Sequence, residues 1–111
     1  MPRDFEVYLE DMLQAISKIS SYTAALTRES FAQDSMRIDA VVRNLEIIGE
    51  AAKMVPESIR AEYPNVEWKK IAGLRDILAH HYFEVDLDIV WDILQNKLPT
   101  LDRELRAKRE N

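Results

Sequence analysis

Apolar residues recur at steps of three or four along nearly the whole chain, and this spacing limits its fold more than any other feature. Only two glycines and four prolines interrupt the 111 residues. No segment alternates convincingly at the period of two that a half-buried strand requires. The sequence therefore predicts an all-α chain without a sheet.

The periodicity predicts two long helices in the first half of the chain. The first should run over about residues 4–26 and the second over about residues 35–55, with Asp34 as its N-cap. Between them, the stretch TRESFAQ at residues 27–33 is expected to be a polar break. The apolar stripe of the second helix comprises Ile38, Val41, Val42, Leu45, Ile48, Ala52 and Val55.

The second half of the chain predicts a short helical piece and two further main helices. Pro56 opens the short piece, a third main helix should begin at about Trp68, and a fourth should begin near Asp86. Pro99 lies inside the fourth helix and is expected to kink it or split it in two. We expect a bundle of four main helices with one additional short helix.

Size and composition narrow the class of protein. The chain should form one domain, residues 1–111, and a core this small makes a homodimer a reasonable expectation. It has no cysteine, no recognisable signal peptide and no apolar run long enough to cross a bilayer, so we expect a soluble cytoplasmic protein. A net charge of −5 argues against broad affinity for nucleic acid but leaves room for a small basic pocket that acts on RNA.

One short segment, GLRDILAHHYFEVD, gathers groups that can carry chemistry. Arg75 is a permanent cation whose planar fork suits a phosphate. His80 can donate or accept a proton near neutral pH, and Tyr82 adds a phenol hydroxyl. Asp76 could orient an imidazole or pair with an arginine. An arginine for the phosphate and a histidine for the proton are enough to break RNA, which supplies its own 2′-OH as nucleophile.

Helical geometry complicates this interpretation. Tyr82 lies seven residues after Arg75, almost on the same helical face, whereas His80 points well off that face. Either the helix ends or distorts near His80, or two chains contribute to one site. In a two-fold dimer, two such segments could line one cleft.

Structural explanations compete with each functional one. Arg75 and Asp76 could be solvated charges, the histidines could simply suit a helix C-terminus, and Tyr82 could be a core residue. The adjacent histidines point apart on a helix, which argues against a zinc site.

Two further sets of charged residues lie outside this segment. Glu46 and Glu50 lie one turn apart and could reach a cation, but they more often form a polar stripe, and we predict no metal site and no cofactor. Arg43, Lys69 and Lys70 are candidates for guiding RNA, each with a solvated surface charge as the simpler explanation.

The cluster Arg75-Asp76-x-x-x-His80-x-Tyr82 resembles the R-x4-H-x-Y signature of HEPN-domain proteins, in the HepT-like branch. The stretches RIDAVVRNLEIIGEAAK and VEWKKIAGLRDILAHHYFEVDLDIVWDILQNKLPTL resemble the second, third and fourth helices of that branch, so the likeness covers about two thirds of the chain. Many relatives have asparagine where this chain has Asp76.

The resemblance implies a HEPN-like, up-and-down four-helix bundle that dimerises with the motifs facing each other. It also implies the toxin of a toxin–antitoxin pair: a metal-independent endoribonuclease with Arg75 and His80 as catalytic residues and Asp76 in a supporting role. The implied partner is a minimal nucleotidyltransferase antitoxin that transfers AMP to Tyr82 and thereby silences the toxin. His81 falls on the variable position of the motif and is assigned no catalytic part.

Two other functions remain open at the level of sequence. The chain could be a non-catalytic helical module that binds a nucleotide or regulates a nucleotidyltransferase. It could also be a structural bundle whose polar cluster fixes the register of a dimer.

Overall fold

The computed structural model describes residues 4–74, 76 and 86–109, and none of these residues lies in a strand. The predicted all-α class is therefore confirmed. The helical elements are α1 (Asp4–Thr23), α2 (Arg28–Ala32), α3 (Ser35–Met54), α4 (Glu57–Arg60), α5 (Trp68–Ala72), α6 (Leu87–Asp92), a π-helical turn (Ile93–Lys97) and α7 (Leu98–Arg109).

Four main helical segments surround one core, and the two longest, α1 and α3, pack along each other. On its other side α3 contacts α5, while α1 also contacts α7. The third segment begins with α5 and includes the helical residues Leu74 and Asp76. The fourth runs from α6 through the π-helical turn into α7. No helix within the described residues is long and apolar enough to span a membrane.

Helix α1 ends at Thr23, three residues before the predicted end at residue 26. The Thr23 hydroxyl donates to the Ile19 carbonyl at 2.9 Å, and the Leu26 amide closes a turn onto the Thr23 carbonyl at 3.0 Å. The chain leaves the helix here because Thr27 already caps the next one.

The stretch predicted as a polar break contains helix α2. Outside the four main segments, the described residues therefore hold two short helices, α2 and α4, where the sequence predicts one. A reciprocal capping box starts α2: the Ser30 amide donates to the Thr27 hydroxyl at 3.1 Å, and the Thr27 amide donates to the Ser30 hydroxyl at 2.8 Å. Phe31 is fully buried against Trp91. Two serine/threonine side chains and one aromatic anchor thus order a segment whose other residues are mostly polar.

Helix α3 follows the predicted pattern closely. Asp34 is its N-cap and accepts the Arg37 amide at 3.1 Å, as predicted. The predicted stripe faces the core, with Val41, Leu45, Ile48, Ala52 and Val55 buried and Ile38 and Val42 half-buried. The opposite side of α3 is left facing solvent.

The last helix accommodates Pro99 without ending. A proline has no amide hydrogen and its ring crowds the carbonyl four residues earlier, here that of Gln95. Residues Ile93–Lys97 adopt a π-helical turn, in which the Leu98 amide donates to the Ile93 carbonyl five residues back. Where the sequence predicts a kink or a split, the structure has a wide turn just before the proline. Beyond this turn the buried stripe continues with Leu98, Leu101 and Leu105.

Candidate functional site

The predicted site residues Arg75, His80 and Tyr82, together with His81, lie outside the described residues. Asp76 is described, and its carboxylate is exposed. The ammonium of Lys53, in the last turn of α3, lies 4.0 Å from the Asp76 carboxylate. The residue that follows Arg75 in the chain is therefore held beside the C-terminal end of α3.

Sequence analysis did not identify Lys53 as a partner of this site. A lysine in the last turn of a helix is already explained by the helix dipole, so nothing local marks it as functional. Its pairing with Asp76 depends on how α5 packs against α3. Expectations for Asp76 concerned only Arg75 and His80, whereas the neighbour that the structure shows, Lys53, comes from a different helix.

The helix that leads into the cluster is anchored from its first residue. Trp68, Ile71 and Leu74 are all buried. The Trp68 indole N–H is shared between the carbonyls of Arg60 at 3.2 Å and Tyr63 at 3.3 Å. Burial at spacings of three fixes the rotation of this helix about its own axis, and the indole bonds fix its start.

Arg60 connects that anchor to α3. Its guanidinium donates to the Val55 carbonyl at 3.1 Å and to the Ala52 carbonyl at 2.8 Å, both at the end of α3. The same guanidinium lies over the Trp68 ring, 5.7 Å from its centroid. One arginine therefore ties the end of α3 to the start of the helix that carries the cluster.

The chain is anchored again after the cluster. Asp86 caps α6 by accepting the amides of Asp88 at 3.0 Å and Ile89 at 3.3 Å, which confirms the predicted helix start. Val90 is buried, and the half-buried Trp91 packs against Phe31 with ring centroids 5.4 Å apart. Both flanks of the cluster are therefore held by the bundle.

Lys69 and Lys70, just before the cluster, are both exposed, and Lys70 forms an ion pair. Lys70 pairs with Glu67 at 3.0 Å, and Lys97 reaches the same carboxylate at 3.2 Å. Hydrogen bonds from Lys70 first, and then from Lys97, hold the pKa of Glu67 below its ordinary value of 4.5. No partner of Lys69 is seen among the described residues, so it is the more available candidate for guiding RNA.

A groove of ≈ 440 Å³ runs between α1 and α3. Its charged lining comprises Asp11, Arg43, Glu46 and Glu50. Its other lining residues are Tyr8, Ile47, Ala51 and Met54. The carboxylates considered for a cation, Glu46 and Glu50, thus share this groove with Arg43, and within the described residues no group of three or more potential ligands is gathered around one point.

A family model described as "Ribonuclease HepT-like" matches residues 12–107. A protein of Methanocaldococcus jannaschii, named as a predicted RNase, is 42% identical over 106 residues, which span 95% of this chain and 88% of that protein. The "Probable ribonuclease HepT" of Thermococcus cleftensis is 36% identical over 110 residues, 99% of this chain and 100% of its own length.

A solved structure has the same helical fold. It contains a tri-AMPylated HEPN toxin of Shewanella oneidensis in complex with an MNT antitoxin, and its toxin-like chain matches with a TM-score of 0.65. The match covers 96% of this chain and 97% of the other at 22% sequence identity. At that identity the likeness establishes the fold, and the predicted HEPN-like bundle is confirmed.

Proposed function

Because this chain belongs to the HepT-like ribonuclease family, we propose that it is a metal-independent endoribonuclease and the toxin of a toxin–antitoxin pair. The observation that carries the proposal is the family match over residues 12–107, which contains the whole cluster from Arg75 to Tyr82. The relatives named as ribonucleases support the activity. The HEPN toxin with the same fold supports the toxin–antitoxin context.

In the proposed mechanism, the 2′-OH of RNA attacks the adjacent phosphorus and the 5′-oxygen of the next nucleotide leaves. Arg75 binds the scissile phosphate and stabilises the charge that develops on it. His80 removes the 2′-OH proton or protonates the leaving oxygen, and His80 of a second copy supplies the other transfer. The products are a 2′,3′-cyclic phosphate and a 5′-hydroxyl. Asp76 supports this site from beside Lys53.

Tyr82 is the proposed control point. A cognate minimal nucleotidyltransferase would transfer AMP from ATP to the Tyr82 hydroxyl and release pyrophosphate. Each AMP adds bulk and a phosphodiester charge next to the arginine that must bind the RNA phosphate. Arg75 could pair with that new phosphate, so steric block and charge neutralisation act in the same direction.

Cleavage of RNA by the purified chain tests the proposal directly. We expect activity that persists in EDTA and leaves cyclic phosphate ends. Arg75→Ala and His80→Ala should each lower the rate by about two to four orders of magnitude, the usual effect of removing a proton-transfer or charge-stabilising group. His81→Ala is the matched control and should stay within a few-fold of the parent.

Three results would contradict this mechanism. They are loss of cleavage in EDTA, a folded His80→Ala protein with parental activity, and equal losses in the His80 and His81 variants. Absence of cleavage by a folded parent, together with tight binding of the nucleotidyltransferase, would instead favour the non-catalytic regulatory module.

A further inference from the structure

Lys53 borders the cluster from a helix outside it. Its ammonium, in the last turn of α3, lies 4.0 Å from the carboxylate of Asp76, the residue that follows Arg75 in the chain. At this distance the two groups attract each other without forming a hydrogen bond. Within the described part of the chain no hydrogen bond of the Lys53 ammonium is seen, so its three donors are available to a ligand.

The structural role that a lysine usually has at a helix end is filled by another residue. A cation there interacts with the helix dipole and with the last carbonyls. At the end of α3 the Arg60 guanidinium donates to the carbonyls of Ala52 at 2.8 Å and Val55 at 3.1 Å. The exposed ion pair of Lys53 with Asp76 adds little to stability. The fold therefore depends little on Lys53.

The charge of its surroundings makes Lys53 important for an anionic substrate. Glu50 and Met54, close to Lys53 in α3, line the groove between α1 and α3, where three carboxylates face one cation. With a net charge of −5, the chain repels RNA except where cations are exposed. Lys70 is paired with Glu67, whereas Lys53 is exposed between this groove and the cluster.

We propose that Lys53 binds RNA and contacts a phosphate next to the one that Arg75 binds. This inference rests on the proposed function, in which Arg75 binds the scissile phosphate. An RNA strand carries a further phosphate one nucleotide to either side, so a second cation beside the cluster has a ligand in any bound strand. Phosphate contacts position a nucleic acid without reading its bases. Lys53 therefore strengthens the binding of RNA of any sequence and takes no part in breaking the bond.

Kinetics of RNA cleavage test this role. Lys53→Gln should raise KM about three- to tenfold and leave kcat within about twofold, because the lost contact is equally strong in the ground state and the transition state. Lys53→Arg keeps the charge and should stay near the parent. Lys18→Gln removes an exposed lysine of α1 and is the matched control for loss of one charge. Circular dichroism checks that each variant is folded.

Binding of 2′-O-methyl RNA, which lacks the attacking hydroxyl, measures the dissociation constant without cleavage. We expect the same three- to tenfold weakening, about equal for strands of different sequence, in Lys53→Gln. The slope of log affinity against log salt should become shallower by about 0.7, the value for one phosphate contact to a single strand.

Asp76→Asn separates RNA binding from a structural role in the same assay. If Lys53 only held Asp76 in place, Asp76→Asn would weaken binding as Lys53→Gln does, and the double variant would be no worse. If Lys53 binds phosphate, Asp76→Asn should leave the dissociation constant unchanged or lower it, because a competing carboxylate is removed.

The outcomes distinguish this inference from the proposed function. A parent that cleaves RNA, with KM and dissociation constant unchanged in folded Lys53→Gln, would overturn only the role of Lys53. Equal weakening in Lys53→Gln and Asp76→Asn, or in Lys53→Gln and Lys18→Gln, would do the same. A parent that binds 2′-O-methyl RNA through Lys53 but cleaves no RNA would support the role of Lys53 and contradict the ribonuclease. A parent that binds no RNA would overturn both.

Discussion

Phe31 is fully buried, although most residues around it are polar, and its ring lies against Trp91 with the centroids 5.4 Å apart. On the surface beside this pair, the Arg28 Nε donates to Asp88 at 2.8 Å. The aromatic contact buries a large apolar area, whereas the exposed ion pair adds little. Phe31 is therefore the main side chain that holds α2 against α6.

We predict that Phe31→Ala lowers the free energy of unfolding by about 3–5 kcal/mol, because it removes a buried aromatic ring and leaves a cavity. Phe31→Leu retains much of the apolar volume and should cost clearly less. Urea unfolding followed by circular dichroism measures both. A loss below about 1 kcal/mol for Phe31→Ala would mean that α2 contributes little to the bundle.

The ion pair between Lys53 and Asp76 illustrates what could not be predicted for the candidate site. The types of residue in the cluster, and their spacing, were enough to identify Arg75, Asp76, His80 and Tyr82 as candidates. The neighbour of Asp76 comes from α3, and this contact depends on the packing of two helices. No property of Lys53 in its own stretch of sequence indicates that packing.

At the scale of single elements, helix starts were predicted most accurately. Asp34, Pro56 and Asp86 each precede a helix in the structure as expected. The signals of Asp34 and Asp86 are local, because a cap needs only a short side chain and the amides two or three residues ahead. Pro56 makes no side-chain cap and marks its helix start through its fixed backbone angle. Helix α2 was missed because most of its stretch is polar, and the contact that orders it joins Phe31 to Trp91, which lies far along the chain.

The cap of α3 gives the stability of the protein a defined pH dependence. The Arg37 side chain and then its backbone amide donate to Asp34 and hold its pKa below the ordinary 3.8. A carboxylate with a lowered folded-state pKa contributes stability above its unfolded pKa, and that contribution is lost as the pH falls through the folded value. Acidification below about pH 4 should therefore weaken α3.

Asp34→Asn is the matched comparison for this prediction, since asparagine also caps a helix but does not titrate. The parent should be more stable than the variant near neutral pH, and the difference should shrink below about pH 4. Urea unfolding midpoints of both proteins, measured from about pH 3 to about pH 7, report this difference in stability. A difference that stays constant, or that grows in acid, would show that the charge of Asp34 does not stabilise the cap.

For the molecule as a whole, apolar periodicity was sufficient to predict the class and the main helices. Residues such as Leu45, Val90 and Leu101 face the core as their spacing requires. Periodicity states which side of a helix is buried, but it does not state which surfaces meet or what covers an exposed face. The groove between α1 and α3 could therefore not be predicted, because it forms only when the helices of the bundle pack together.

The proposed control of the whole molecule by a nucleotidyltransferase leads to a prediction for Tyr82. Incubated with its cognate nucleotidyltransferase and ATP, the chain should gain AMP on Tyr82 and lose RNA cleavage. Tyr82→Phe should fold normally, because only a hydroxyl is removed, and should not be modified. Peptide mapping locates the added mass. Modification at Tyr8, Tyr22 or Tyr63 instead, or full modification of Tyr82 without loss of cleavage, would contradict the assignment.

The π-helical turn before Pro99 gives the last helix one residue more than an unbroken α-helical path of the same length would hold. Loss of one exposed residue there, Gln95 or Asn96, would convert the wide turn into an ordinary one that keeps the core stripe in place, although the Pro99 ring would then crowd the carbonyl four residues earlier. The same loss within α3 would rotate every following side chain by about 100° and turn its core stripe away from α1. Natural variation in chain length can therefore be absorbed in the fourth helical segment, whereas the second must keep its length.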